Sequence, residues 1–207
     1  MQTLHHIYQH KIVAIIRGVS ADKAKDVAFA LADGGVKILE ITLNSPKALQ
    51  VIEQLADSIG DQVLIGAGTV LDPESARAAI YAGAKFILSP TVNIDTIHMT
   101  RRHGAVSIPG AYTPTEILNA YAWGGDIVKV FPASAGVAYI KDVKGPLPQI
   151  PIMPTGGVGL DNIKEFKKIG AVAYGIGSSL VDAKQTINDE YLKQLSLKAK
   201  QFIDAVQ

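Results

Sequence analysis

Two charged residues stand inside runs that are otherwise aliphatic. Lys129 lies between Val128 and Val130 in DIVKVFP, and Glu40 lies between Leu39 and Ile41 in ILEIT. Side chains alternate along a strand, so if the flanking aliphatic residues face outward, Lys129 and Glu40 face the interior. Charged groups are almost never fully buried unless paired. An isolated one costs free energy or shifts its pKa and neutralises. Two arrangements give this pattern without chemistry: a structural buried pair, or a register shifted by one residue that turns both groups to solvent. The chemical reading starts from desolvation, which disfavours the charged lysine and frees a neutral amine. Such an amine can add to the ketone of a 2-oxo acid, forming a carbinolamine and then a Schiff base. The iminium stabilises a carbanion on the neighbouring carbon, and a nearby carboxylate can move protons directly or through one water. This is the chemistry of a Schiff-base carbon–carbon lyase, and it calls for no cofactor and no metal.

Elements must exist that bring the two residues together. Short aliphatic runs recur at 12–16, 38–43, 63–65, 86–88, 106–108, 127–131, 150–153 and 172–176. They are short and rich in β-branched residues, as buried strands are. Helical periodicity lies between them: Ala24, Val27, Ala28 and Leu31 share one face, and the last stretch repeats the pattern through Leu192, Leu195, Ala199, Phe202, Ile203 and Val206. Asp72-Pro73 and Ser45-Pro46 read as N-caps before a first-turn proline, and Thr113-Pro-Thr-Glu116 as a capping box. Glycines at 34–35, 60, 83, 104, 124–125 and 170 stop the helices just before the strand runs. Eight strands alternating with helices predict an α/β fold, a (β/α)8 TIM barrel with a short N-terminal helix and no large insertions, as a single domain over 1–207.

In a barrel, chemistry belongs where the strands end. Arg17 ends the first run, Thr69 the third and Ser89-Pro90 the fourth, while Phe131 follows Lys129 on the sixth. The seventh ends in Thr155-Gly156-Gly157 and the eighth in Gly177-Ser178-Ser179. Arg17, Thr69, Pro90, Phe131, Thr155 and the residues of these two glycine loops are therefore the candidate substrate-binding groups. Loops after the last two strands of such barrels hold phosphate through backbone N–H groups, and Gly156-Gly157 lets the backbone approach an anion closely. The serine hydroxyls add donors. His5, His6, His10, His98 and His103 have no strand-end placement and no ligand spacing, so solvated or packed roles are expected.

Composition sets the outer limits. The chain has 207 residues, 48% hydrophobic but only 6% aromatic, so its core must be aliphatic. A net charge of +1 gives no broad footprint for nucleic acid or an anionic membrane. With no cysteine, disulfides, thiolate metal sites and cysteine nucleophiles are excluded. No apolar run reaches the roughly 20 residues of a membrane span, and MQTLHHIYQHK has no signal-peptide core, so a cytoplasmic location is expected.

The segments EITLNSP (40–46), GAGTVL (66–71), ILSP (87–90), KVFPAS (129–134) and PTGGV (154–158) closely resemble the bacterial 2-keto-3-deoxy-6-phosphogluconate (KDPG) and 2-keto-4-hydroxyglutarate (KHG) aldolase family. The resemblance extends from Ile12 to about Leu180. It implies that Lys129 is the Schiff-base lysine and Glu40 the proton-shuttling carboxylate. It further implies that Thr69 holds the pyruvyl carboxylate, that Thr155 bears on stereoselectivity, and that Gly156, Gly157 and Ser179 form the phosphate site. The implied ligands are a phosphorylated 2-keto-3-deoxy sugar acid and pyruvate, and the implied assembly is a homotrimer. One departure matters: many members carry an arginine where this chain has Asn44, a form that looks like the branch acting on the galactonate epimer. Arg17, on the adjacent strand end, is expected to replace that cation, because a carboxylate in a partly desolvated site needs a charge-assisted bond. Thr91 and Ser134 also depart from the usual glycine and glutamate. A phosphate-binding barrel isomerase or synthase remains a further alternative, since it would use the same glycine loops.

Overall fold

The eight aliphatic runs become nine parallel strands in the computed structural model, which describes residues 2–207. Helix α1 (Gln2–His10) precedes β1 (Ile12–Ile16), α2 (Ala21–Asp33), β2 (Ile38–Thr42), α3 (Ala48–Ile59) and β3 (Leu64–Gly68). There follow α4 (Pro73–Tyr81), β4 (Phe86–Leu88), α5 (Ile94–Arg102), β5 (Val106–Ile108) and β6 (Gly110–Ala111). The chain continues through α6 (Pro114–Ala122), β7 (Val128–Val130), a 3-10 turn at Ala133–Ala135 and α7 (Val137–Lys144). It closes with β8 (Ile152–Pro154), α8 (Ile163–Lys168), β9 (Tyr174–Ile176) and α9 (Asp189–Val206).

The strands form a curled parallel sheet in two arcs, six strands in the order β5-β4-β3-β2-β1-β9 and three in the order β6-β7-β8. The sequence led to the expectation of one eight-stranded ring; the ladders themselves run in these two arcs. The extra strand, β6, lies just beyond the fifth run, after Pro109, which has no N–H to give to a ladder. The run itself, β5, pairs with β4, and β6 pairs with β7. Hydrogen bonds still link the arcs at both ends. Asp126 N–H donates to the Ser107 carbonyl at 2.8 Å, and Thr155 bridges Gly175 in parallel sense.

The alternation read from the sequence holds. Val128 and Val130 pack in the layer between sheet and helices, whereas Ile127 belongs to a second apolar cluster inside the curl. Leu39 and Ile41 likewise lie in the outer layer and Ile38 in the inner one. The period of two therefore turns Lys129 and Glu40 inward, and the shifted register is excluded. Two helix starts match their motifs. Asp72 accepts from Ser75 N–H, and the Thr113–Glu116 capping box is complete. Ser45-Pro46 does not cap a helix: α3 begins at Ala48, after Lys47 at φ 54°. Ser45 Oγ instead accepts from Gly18 N–H at 2.9 Å and bonds Thr42 Oγ1 at 2.9 Å, tying the loop after β1 to the end of β2. A serine before proline is a weak cap signal when a tertiary donor competes for its hydroxyl.

The inner cluster of Val13, Ile38, Phe86, Val106, Ile127 and Met153 is closed at one end by α1, whose Ile7 is fully buried against it. Truncating this plug leaves a cavity beneath the site. Ile7→Ala should cost about 2–5 kcal/mol in urea unfolding, while Leu118→Ala, at an exposed position on α6, should shift the midpoint little.

Candidate active site

Lys129 occupies the middle of β7, and its side chain is only 2% exposed. It reaches a cavity of about 500 Å³ that Arg17, Phe131, Thr155 and the two glycine loops also line. Glu40, in the middle of β2, is fully buried behind this surface. The only ion pairs among the described residues are Lys23–Asp26, Arg101–Asp126 and Lys168–Glu165. Lys129 and Glu40 are thus not bonded to each other, and the structural buried pair is excluded. Both Glu40 carboxylate oxygens are buried without a hydrogen-bond partner.

Burial governs both titrations. It pushes the Glu40 carboxyl above the usual carboxylate range, with Lys129 and then Arg17 pulling the other way. It pushes the Lys129 ammonium below the usual lysine value, opposed by Glu40 and assisted by Arg17. Desolvation outweighs mutual attraction for each group, because two charges at a distance recover only part of the hydration they lose. Lys129 Nζ also lies 5.1 Å from the centroid of the Phe131 ring, which gives the amine one apolar flank. The arrangement sets an amine whose charged form is disfavoured on the wall of the cavity, with a buried carboxyl group behind it whose charged form is disfavoured too.

The ends of β1 and β3 meet over this pair. Arg17 Nη2 donates to Thr69 Oγ1 at 3.2 Å. Thr69 stands at φ 56°, a left-handed conformation that costs a β-branched residue about 1–3 kcal/mol and persists only where its surroundings hold it. Arg17 lines the same cavity as Lys129, so the contact holds a cation at the edge of the space that the amine faces.

The glycine loops follow from their backbone. Gly156 and Gly157 have φ of 79° and 84°, and a Cβ on Gly157 would come within 3.0 Å of the Ser134 main chain. Asn162 braces this loop from both sides, accepting from Gly159 N–H and donating to the Gly157 carbonyl. The Ser179 hydroxyl is not a free donor, contrary to expectation. It bonds the Val158 carbonyl at 2.6 Å and so ties the two loops together. Among the described residues, the N–H groups of Gly157, Ser178 and Ser179 make no bond within the chain, so they remain available to an anion.

Three placements differ from the sequence reading: Thr69 does not line the 500 Å³ cavity and is joined to it through its bond to Arg17, and the other two concern Pro90 and Lys184. Pro90 does not line the 500 Å³ cavity. It borders a neighbouring one of about 330 Å³ with Tyr112 and Trp123, and Phe131 forms the wall shared by both. Lys184, in the loop before α9, lines the main cavity beside the glycine loops. A lone lysine in an irregular segment has no periodicity to mark it, and its only signal was its position just beyond Gly177-Ser178-Ser179. A larger groove of about 630 Å³ lies between α2 and α9 and holds none of these groups. Its charged residues Lys25, Asp26, Asp33 and Lys193 are at the protein surface, so it offers no desolvated reactive group.

Comparison with known proteins agrees with this geometry. The sequence profile of the KDPG and KHG aldolase family matches residues 4–196. The chain is 36% identical over 198 residues to the 2-dehydro-3-deoxy-6-phosphogalactonate aldolase of Escherichia coli K12, covering 95% of this chain and 96% of that one. It is 34% identical over 208 residues to the 2-dehydro-3-deoxy-phosphogluconate aldolase of Haemophilus influenzae, covering 100% and 97%. Among solved structures, the KDPG aldolase of Legionella pneumophila, with pyruvate captured as a covalent carbinolamine, superposes with a TM-score of 0.82 at 28% identity, covering 98% of this chain and 96% of that one. Matched by that profile over nearly its whole length, and by relatives above 30% identity, the chain belongs to the KDPG and KHG aldolase family and is a carbon–carbon lyase.

Proposed function

We propose that this protein is a class I aldolase that cleaves 2-keto-3-deoxy-6-phosphogluconate to pyruvate and glyceraldehyde 3-phosphate, and also 4-hydroxy-2-oxoglutarate to pyruvate and glyoxylate. The observation that carries the reading is Lys129, a buried amine without an ion-pair partner on the wall of a cavity. Its neutral Nζ adds to the C2 ketone, and the carbinolamine loses water to give the iminium. The Glu40 carboxylate takes the proton from the C4 hydroxyl, directly or through water. The C3–C4 bonding pair flows into the iminium, which becomes the neutral enamine of pyruvate as the aldehyde leaves. Glu40 returns its proton to C3, and hydrolysis frees pyruvate and Lys129. Arg17 and Thr69 hold the substrate carboxylate, Thr155 borders the reacting carbons, and the N–H groups of Gly157, Ser178 and Ser179 receive the phosphate. The hydrogen bonds that join the two arcs of the sheet support a closed eight-stranded barrel and a single domain. The homotrimer and the cytoplasmic location rest on the family resemblance.

A second reading is preference for the galactonate epimer at C4. Asn44 in place of the usual arginine favours it, as does the 36% identity to the E. coli galactonate-series enzyme. In side-by-side cleavage assays on the two phosphates, the gluconate series should give the higher kcat/KM, and the reverse order assigns the chain to the galactonate branch.

Borohydride reduction in the presence of pyruvate should fix one equivalent of adduct on Lys129 and abolish turnover. An unlabelled Lys129 would falsify the Schiff-base mechanism and favour an isomerase or synthase acting through the glycine loops alone.

Glu40 links function to stability. A carboxyl whose folded pKa is raised carries no penalty below its ordinary value of 4.5, where both states are protonated. The penalty grows as pH rises from there through the folded-state pKa. Glu40→Gln should therefore raise Tm by an amount that is small near pH 4.5 and larger at pH 8, while lowering kcat about 10²–10⁴-fold. Calorimetry across that range, with steady-state rates, checks both signs.

A further inference from the structure

Among the described residues, three buried side-chain atoms lack a hydrogen-bond partner: both carboxylate oxygens of Glu40 and Oγ1 of Thr155. Each belongs to a side chain that lies against a glycine. A Cβ placed on Gly68 would fall on the Glu40 carboxylate, overlapping Oε1 and coming within 2.7 Å of Cγ, and one placed on Gly175 would overlap Thr155 Oγ1. The sheet register explains the first contact. Glu40 is paired with Gly66 and Thr42 with Gly68, so a Glu40 side chain leaning along its strand enters the space that a side chain at 68 would fill. The corresponding space at Gly66 is already taken by the Phe86 ring. Gly68 has no left-handed backbone that would call for glycine, since it is the last residue of β3 and is not among the residues with positive φ. Glycine in a strand interior weakens it, and where the backbone does not require it, it marks a close approach.

We propose that Gly68 is a positioning residue for the reaction: its missing side chain sets where the Glu40 carboxyl group sits relative to the substrate carbons held on Lys129. The niche is closed on the strand side by the Gly68 main chain and offers the carboxyl group no bond. Glu40 is therefore held by shape alone, with its oxygens left free for the substrate or a bridging water. This inference rests on Glu40 being the proton carrier, and it adds the group that aims it.

The test is a cycle of Gly68→Ala, Glu40→Ala and the double variant, read as kcat and KM for aldol cleavage. Gly68→Ala should lower kcat about 100-fold, within the range of a general acid–base contribution, with KM changed less than about threefold. In the Glu40→Ala background the added Gly68→Ala should change kcat by less than about threefold, because residues acting as one unit are not additive. Losses that multiply in the double variant overturn the proposal, and so does a Gly68→Ala enzyme with full kcat. If Gly68→Ala fails to fold, the double variant should fold, since the new methyl enters the space that the glutamate vacates. A double variant that also fails to fold shows that the obstruction is elsewhere and overturns the proposal. Full turnover by Glu40→Ala alone removes Glu40 as proton carrier and this inference with it, whereas an inactive Glu40→Ala beside a fully active Gly68→Ala removes only the role of Gly68.

Discussion

Lys129 and Glu40 are both almost wholly buried, and they do not touch. Had they met as an ion pair, each would have kept its charge, and the amine would have been protonated and inert as a nucleophile. Kept apart, each is governed by desolvation, which moves the lysine down and the glutamate up. In both groups the charged form is thus disfavoured at the same place. That is the condition for an amine that attacks a ketone and an acid that returns a proton. The separation is the constraint, and most of the surrounding structure can be understood as maintaining it.

The strands maintain it through their period. Parallel strands with aliphatic residues on both faces give two apolar layers; β7 breaks the inner layer at Lys129, and β2 breaks it at Glu40 and, at the strand end, at Thr42. The inner layer is closed from below by α1 through Ile7, so water has no route to the pair from that end. Glycines at 66 and 68 remove side chains from the inner face of β3, and the vacated volumes are taken by Phe86 and Glu40. Packing inside the curl is thus shared among strands: one supplies space and its neighbours supply the groups that fill it. Such an interior is held to close-packed density like any core, and small changes of volume are felt at once.

Above the pair, short polar links join one strand end to the next. Gly18 N–H is bound to Ser45, Ser45 to Thr42, and Arg17 to Thr69, which fastens the ends of β1, β2 and β3 together. On the opposite side Ser179 bonds the Val158 carbonyl and Asn162 braces the loop after β8. The proposed carboxylate grip and the proposed phosphate cradle are therefore each stiffened by bonds between loops. A loop carrying a binding group loses little further freedom when the ligand arrives if it is already tied in this way.

The chain by itself determined where most strands run and which way Lys129 and Glu40 point, because a period of two and the aliphatic flanks of these residues depend on neighbours in sequence alone; it did not mark the short β6 or the extension of β3 through Gly68. It determined the Asp72 cap, the Thr113–Glu116 box and the glycine loops for the same reason. Only the tertiary structure decided the remainder. The change of partner strand across Pro109 depends on which strands lie on each side. Ser45 binds Gly18 and Ser179 binds Val158 because those acceptors and donors come near only when the strands are assembled. Pro90 falls into the adjoining cavity because the Phe131 ring stands between, and Lys184 reaches the site from a loop without pattern. The niche at Gly68 was hidden for the deepest reason: an absent side chain has no signature in sequence, and its meaning is set by the neighbouring strand that fills the space.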